Sequence, residues 1–253
     1  MNGGKARAAR MQRRSRSERQ VNVDKMLATT SEVLGVDFSD LPTARTVQVP
    51  VGWLRAMMQQ SRAIVTLSEA ALESAAAPNR RSASEILLRL QWLATLPPET
   101  RADRIDAMID EEKRLTENHK VHVVEMGLTE PPDLGDVDAV ITMATNDPLI
   151  KQQARNIKDA AAAAIGVGLY RAWRDETQMA HATVQLAAAH APVCDNRFER
   201  GIAPERDQNL SLALNSAAVA VVYTSRLLLD AGVDKDSALR FFNSFFDGIR
   251  KAI

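Results

Sequence analysis

Cysteine is nearly absent from this chain: its 253 residues include one, Cys194. That excludes an internal disulfide framework and any cysteine-rich zinc site. It fits a reduced, cytoplasmic setting. A charge excess is missing too, since 32 basic residues balance 32 acidic ones. A uniformly basic nucleic-acid binder is thereby excluded, and only a local basic patch is left open. The first 25 residues hold no apolar core of the kind a signal peptide needs. No uninterrupted apolar run approaches the ~20 residues of a membrane-spanning helix. The longest near the C-terminus, Ala217 to Tyr223, is too short. The expectation is a soluble protein with no membrane partner.

Most signatures of chemistry are missing as well. There is no Walker-type phosphate loop, no Gly-rich dinucleotide fingerprint and no nucleophile elbow, so no cofactor is expected. The Glu-x-x-His pair that a di-iron bundle needs on two helices does not occur. Glu117, His119, His122 and Glu125 cluster on one stretch. They could hold one ion, but no second matching helix exists, and isolated helical histidines are ordinarily surface or capping groups. No metal site is assigned.

What is present starts with a basic N-terminus. Residues 1–25 carry Lys5, Arg7, Arg10, Arg13, Arg14, Arg16, Arg19 and Lys25 against Glu18 and Asp24. With few apolar side chains the segment buries too little surface to offset its ordering entropy. It reads as a disordered arm. Arg7, Arg10, Arg13, Arg14 and Arg16 are the candidate nucleic-acid-binding residues, because clustered arginines release counterions from RNA or DNA. A solvated tail is the plainer alternative. No aromatic residue is interleaved, so any binding by the arm is expected to be sequence-independent.

From residue 26 onward the chain reads as one helical domain, rich enough in apolar residues (45% overall) for a sizeable core. Apolar residues recur at helical period from Val51 to about Ser74, after loop punctuation at Pro42 and Pro50. Residues 75–79 read as a linker. Ser82 and Glu85 have the spacing of a capping box and open a helix that ends at Pro97–Pro98, with Trp92 at its flank. A long helix over about 99–126 follows, with a narrow stripe of Ile105, Met108, Ile109, Leu115 and Val121 and a solvated acidic face. Residues 127–146 read as a loop, with a short ordered piece near 139–143. Asp147–Pro148 is an N-cap followed by proline at the first helical position. The helix it opens reaches Ile165. Gly166 and Gly168 permit a break or a tight crossing before a helix over about 169–191. A polar loop covers 192–206, an apolar helix runs from Asp207 to Asp230 and is stopped at Gly232, and a last helix covers about 236–252. Its Leu239, Phe242, Phe245, Phe246 and Ile249 suit either a core-sealing helix or a homo-oligomer face. No segment alternates with period two. The fold class expected is all-α, an antiparallel multi-helix bundle.

The most suggestive stretch runs from Tyr170 to His181. Arg174 and His181 lie seven residues apart, which on one helix sets their Cα atoms about 10.5 Å apart on a shared face. Histidine suits proton transfer and arginine suits a phosphate. A polar inter-helix network that fixes bundle register is the plainer reading.

Two segments resemble an uncharacterised bacterial family, domain of unknown function 5677: Arg80-Arg81-Ser82-Ala83-Ser84-Glu85 with the following Ile86–Leu90, and Tyr170-Arg171 followed by His181. The resemblance covers roughly residues 51–230 and implies an all-helical fold without an assigned activity. The Arg174–His181 spacing also resembles the loose end of the Arg-x(4–6)-His motif of the HEPN superfamily, helical proteins that often dimerise. Many of them are metal-independent ribonucleases of toxin and phage-defence systems. That resemblance implies His181 as general base on a ribose hydroxyl, Arg174 on the phosphate, and Glu85 and Arg81 in support. Three functions are therefore open: a non-catalytic helical interaction module, a HEPN-like ribonuclease, and a virion or assembly protein.

Overall fold

The computed structural model describes residues 3–127, 147–198 and 210–252, with side chains from residue 18 onward and without that of Phe198. Among these residues the architecture is all-α: α1 Gly3–Leu34, α2 Arg45–Glu69, α3 Ala77–Thr95, α4 Arg101–Glu125, α5 Pro148–Arg155, α6 Ile157–Ala163, α7 Val167–Ala180, α8 Val184–His190, α9 Leu210–Asp230 and α10 Lys235–Lys251. Helices α2 and α9 lie at the centre, with α1, α3 and α10 packed around them. One buried apolar cluster draws on α1 to α6, α9 and α10, including Met26, Leu54, Met58, Leu90, Trp92, Ile105, Val221, Phe241 and Phe245. Helix α7 packs chiefly against α3.

The N-terminal arm is not a disordered segment. Helix α1 starts at Gly3 and continues without a break into the core. Val23 and Met26 are buried, and Arg19 donates to the Ser68 carbonyl at 2.7 Å and its hydroxyl at 2.8 Å while pairing with Glu73. In isolation, residues 3–17 would have too little apolar surface to order. A helix nucleated by the packed half propagates at little cost through good helix formers such as Ala, Arg, Met and Gln.

Prolines and polar residues account for the other shifts. Pro50 sits inside α2, buried, rather than marking a loop before it. Helix α3 starts at Ala77 with Pro78 in its first turn, so Ser82 and Glu85 lie inside the helix and form no cap. Trp92 is fully buried rather than flanking. Its indole N–H donates to Gln153 Oε1 at 2.9 Å, and the guanidinium groups of Arg89 and Arg104 lie 5.8 and 5.7 Å from its ring centroid.

On α4 the apolar stripe holds for Ile105 and Met108, whereas Leu115 and Val121 face outward. The acidic face is only partly solvated, because Asp106 is buried against Arg45 with a 2.7 Å hydrogen bond. Burial pushes this carboxyl above its ordinary value, with Arg45 opposing.

The Asp147 cap forms as expected, its carboxylate accepting from the Leu149 and Ile150 N–H groups. The following helix is two helices, since Asn156 turns extended between α5 and α6. The loop expected over 128–146 lies outside the described residues. Residues 193–198 form a two-stranded hairpin, β1 Val193–Cys194 and β2 Arg197–Phe198. Asp195 and Asn196 both take positive φ at its tip, as a tight primed turn requires.

Gly232, at φ +83°, ends α9 in a Schellman arrangement, with the Val233 N–H bonded to the Leu228 carbonyl. Helix α9 is, among the described residues, the one long and apolar enough to cross a membrane by length and composition, at mean hydropathy 1.5. Interrupted apolar periodicity produces that average, with polar residues spaced through the helix. Helix α10 is capped by Asp234 and lays Phe241 and Phe245 into the core beside α1. The crossing is close: a Cβ on Gly248 would come within 2.6 Å of the Thr29 Cα.

Candidate functional site

The residues singled out in the sequence divide into two groups in space. Arg81 and Glu85, one turn apart on α3, meet α7. The Trp173 indole N–H donates to Glu85 Oε2 at 3.0 Å. The Arg81 guanidinium lies 5.3 Å from the Trp173 ring centroid, 3.6 Å from Glu85 and 3.3 Å from the Thr177 hydroxyl. The adjacent Arg80 pairs with Glu176 at 3.0 Å and donates to the Glu73 carbonyl. The structure therefore assembles a half-buried polar ladder between α3 and α7. Residues 80, 81 and 85 face 173, 176 and 177 across a helix–helix contact, as i,i+3 and i,i+4 neighbours do on each helix.

Arg174 and His181 stand apart from this ladder. Both are exposed. Helix α7 ends at Ala180, and His181 is an extended residue just beyond it. The expected helix over 169–191 is broken because Thr183 starts a new one, its hydroxyl accepting from the Leu186 N–H. The two residues do not share a continuous helix face, and neither makes a side-chain hydrogen bond or ion pair among the described residues. Sequence reasoning assigned no role to Trp173, Glu176 or Thr177. Their i,i+3 and i,i+4 spacing was the available signal, but nothing local in the sequence says which helix they meet.

Beside the ladder lies a cavity of about 590 Å³ between α2, α3, α7 and α9. Met57, Ile64, Leu169 and Leu210 supply apolar walls, and Ser61 and Arg80 contribute polar atoms. A second cleft, about 440 Å³, lies over Arg89, Glu111, Glu112 and Arg155. Arg89 is spoken for: it donates to the Gln153 and Ala154 carbonyls and so caps the C-terminal end of α5. Glu111 is held below its ordinary value by the Arg114 and Arg155 guanidinium groups. Arg89, Glu111 and Arg155 are thus engaged in internal pairings.

The acidic and histidine residues near the end of α4 are exposed, and no group of three or more His, Cys, Asp or Glu residues placed to hold a metal occurs among the described residues. The backbone of the basic segment is helical through Arg7, Arg10, Arg13, Arg14 and Arg16. Their side chains lie outside the described residues. The comparisons add no relative: the chain matches no protein-family model, no curated protein and no solved structure.

Proposed function

We propose that this protein is a non-catalytic helical interaction module that associates with nucleic acid through the N-terminal half of α1. One observation carries the reading: the basic segment and the packed body share one helix. Residues 5–16 hold Lys5 and five arginines with no acidic residue among them. The other half of α1 is locked between α2, α9 and α10. At 1.5 Å per residue, residues 3–17 make a cationic rod about 22 Å long. A rod pre-ordered as helix loses less entropy on binding than a disordered arm would. Its attraction to phosphates is electrostatic, so binding is sequence-independent and salt-sensitive.

Two further features support the non-catalytic part of the reading. Arg174 and His181 do not share a helix face, and Arg81 and Glu85 are engaged by α7. The experiment is an anisotropy titration of fluorescent duplex DNA and single-stranded RNA. It compares the native chain with a variant carrying Arg→Gln at positions 7, 10, 13, 14 and 16, and each RNA mixture is then run on a gel after incubation in EDTA. The reading expects binding by the native chain, at least tenfold weaker in the variant, and intact RNA. Cleavage in EDTA that is lost in His181→Ala would replace this reading with the ribonuclease.

A further inference from the structure

The outward face of α9 leaves four large apolar side chains in solvent among its polar ones. Ser211, Leu212, Asn215, Val219, Val222, Arg226, Leu229 and Asp230 are its exposed residues. Leu212, Val219, Val222 and Leu229 keep between 40% and 59% of their surface open. From Leu212 to Leu229 the exposed positions step by three and four residues, the a/d spacing of a coiled-coil seam. The opposite face, including Leu214, Ala217, Val221 and Leu228, is fixed in the core.

The seam is also self-complementary. Leu212 and Leu229 are equidistant from the Ala220–Val221 peptide, and so are Asn215 and Arg226, Val219 and Val222, and Ser211 and Asp230. Laying a second α9 antiparallel across the first therefore gives an apolar centre of two Val219–Val222 layers. Outside it lie layers that set the Arg226 guanidinium beside the Asn215 side-chain oxygen, then Leu212–Leu229 layers, and at each end Ser211 beside Asp230, whose carboxylate is already paired in its own chain with Arg101 at 2.7 Å and with Arg226 at 3.7 Å. Each layer is repeated by the two-fold axis, as an isologous interface requires. Parallel pairing would instead set Arg226 on Arg226.

We infer that α9 is the homodimer seam of this protein, with a second copy of the chain bound antiparallel across it. This does not depend on the nucleic-acid reading. It also relocates the oligomer face from α10, whose Phe241 and Phe245 are used up in the core. A 21-residue helix is about 31 Å long, and a strip about 10 Å wide on each copy buries on the order of 600 Å² in all. That is below the ~1,200 Å² of a standard interface, so the dimer is a reversible one. Asn215 and Arg226 on the seam make lipid a poor alternative occupant.

The test is sedimentation velocity from micromolar to several hundred micromolar protein. The native chain is expected to show a reversible monomer–dimer equilibrium. Val219→Glu with Val222→Glu sets like charges at the centre and weakens it at least tenfold. Val219→Lys with Val222→Glu sets opposite charges there in the antiparallel register and recovers dimerisation well above that of the Glu–Glu variant. Both changes are on the solvent face, and circular dichroism confirms the fold.

Orientation is read by mild oxidation in a Cys194→Ser background. Leu212→Cys with Leu229→Cys gives covalent dimers. Leu212→Cys alone does not, because its two copies lie about 26 Å apart. A native chain that stays monomeric throughout, equal behaviour of the two charge variants, or cross-linking by Leu212→Cys alone would overturn the proposal. So would binding to phosphatidylcholine vesicles by a chain that never dimerises.

Discussion

The contacts α1–α10 and α3–α7 both bring two helices close, and they are built from opposite chemistry. The first is apolar in its depth: Phe241 and Phe245 are fully buried and Gly248 sits against the Thr29 backbone. The Lys251–Glu32 ion pair lies at its edge, and Arg240 of α10 reaches past α1 to Asp40 in the loop that follows it. The second is polar through its middle, with Arg81, Glu85, Trp173 and Thr177 bonded across the gap. Its glycine, Gly166, approaches the movable side-chain ends of Gln91 and Leu88. The first contact is rigid because backbone meets backbone. The second pairs a patch of buried apolar packing, Leu88 beneath Leu169, Tyr170 and Trp173, with polar groups that can each rotate away and that fix register more than they add stability.

Mutations should separate the two contacts. The largest loss is expected from Phe241→Ala, about 3–5 kcal/mol, read from urea unfolding midpoints. Gly248→Ala comes next. Its new methyl has only backbone to displace, and overpacking of about 3 kcal/mol outweighs the helix-propensity gain of about 1 kcal/mol. Trp173→Phe removes the donor to Glu85 and weakens the ring face under Arg81. A loss of about 1 kcal/mol is expected, with a normal circular dichroism spectrum. Gly166→Ala pushes on side chains that can swing aside, and the unfolded chain loses freedom. Its midpoint should stay within about 1 kcal/mol of native. If Gly166→Ala proves as costly as Gly248→Ala, the distinction between a backbone contact and a side-chain contact fails.

The smallest effect concerns pH. Hydrogen bonding from the Ser237 backbone N–H holds Asp234 below its ordinary value, Ser39 does the same for Asp37, and Arg240 does it for Asp40. Lowered folded-state values mean stability that is fully present above the ordinary aspartate range. It is lost as pH falls through the lower folded values. Thermal melts from pH 6 to pH 2.5 should therefore show a steeper acid loss in the native chain than in Asp234→Asn with Asp40→Asn. Parallel curves would remove these carboxylates from the account of how α10 is held.

The sequence carried the apolar half of this comparison more fully than the polar half. Leu54, Met58, Leu90, Ile105 and Phe245 fall on the periodic faces that end up buried, because burying such a face is what stabilises each helix. The Asp147 cap and the Gly232 stop are local backbone chemistry and were legible for that reason. The breaks at Asn156 and His181 were not, since each depends on a cap or packing partner that competes with continued helix. Arg81 and Glu85 stood out as residues, but their partners Thr177 and Trp173 lie on a helix some ninety positions away. The five arginines at positions 7–16 of α1 were legible as a charge cluster. Their helical backbone was not, because order there propagates from residues 18–34 and does not come from their own burial.

The most direct test of the central claim is the salt dependence of nucleic-acid binding. Native chain and the variant with Arg→Gln at positions 7, 10, 13, 14 and 16 are titrated into duplex DNA at several salt concentrations. Log affinity is then plotted against log salt. The claim predicts a steep negative slope for the native chain, shallower in the variant by about 0.9 for each phosphate contact removed, up to about 4.5. Equal slopes for the two proteins, or no binding by the native chain at low salt, would contradict it.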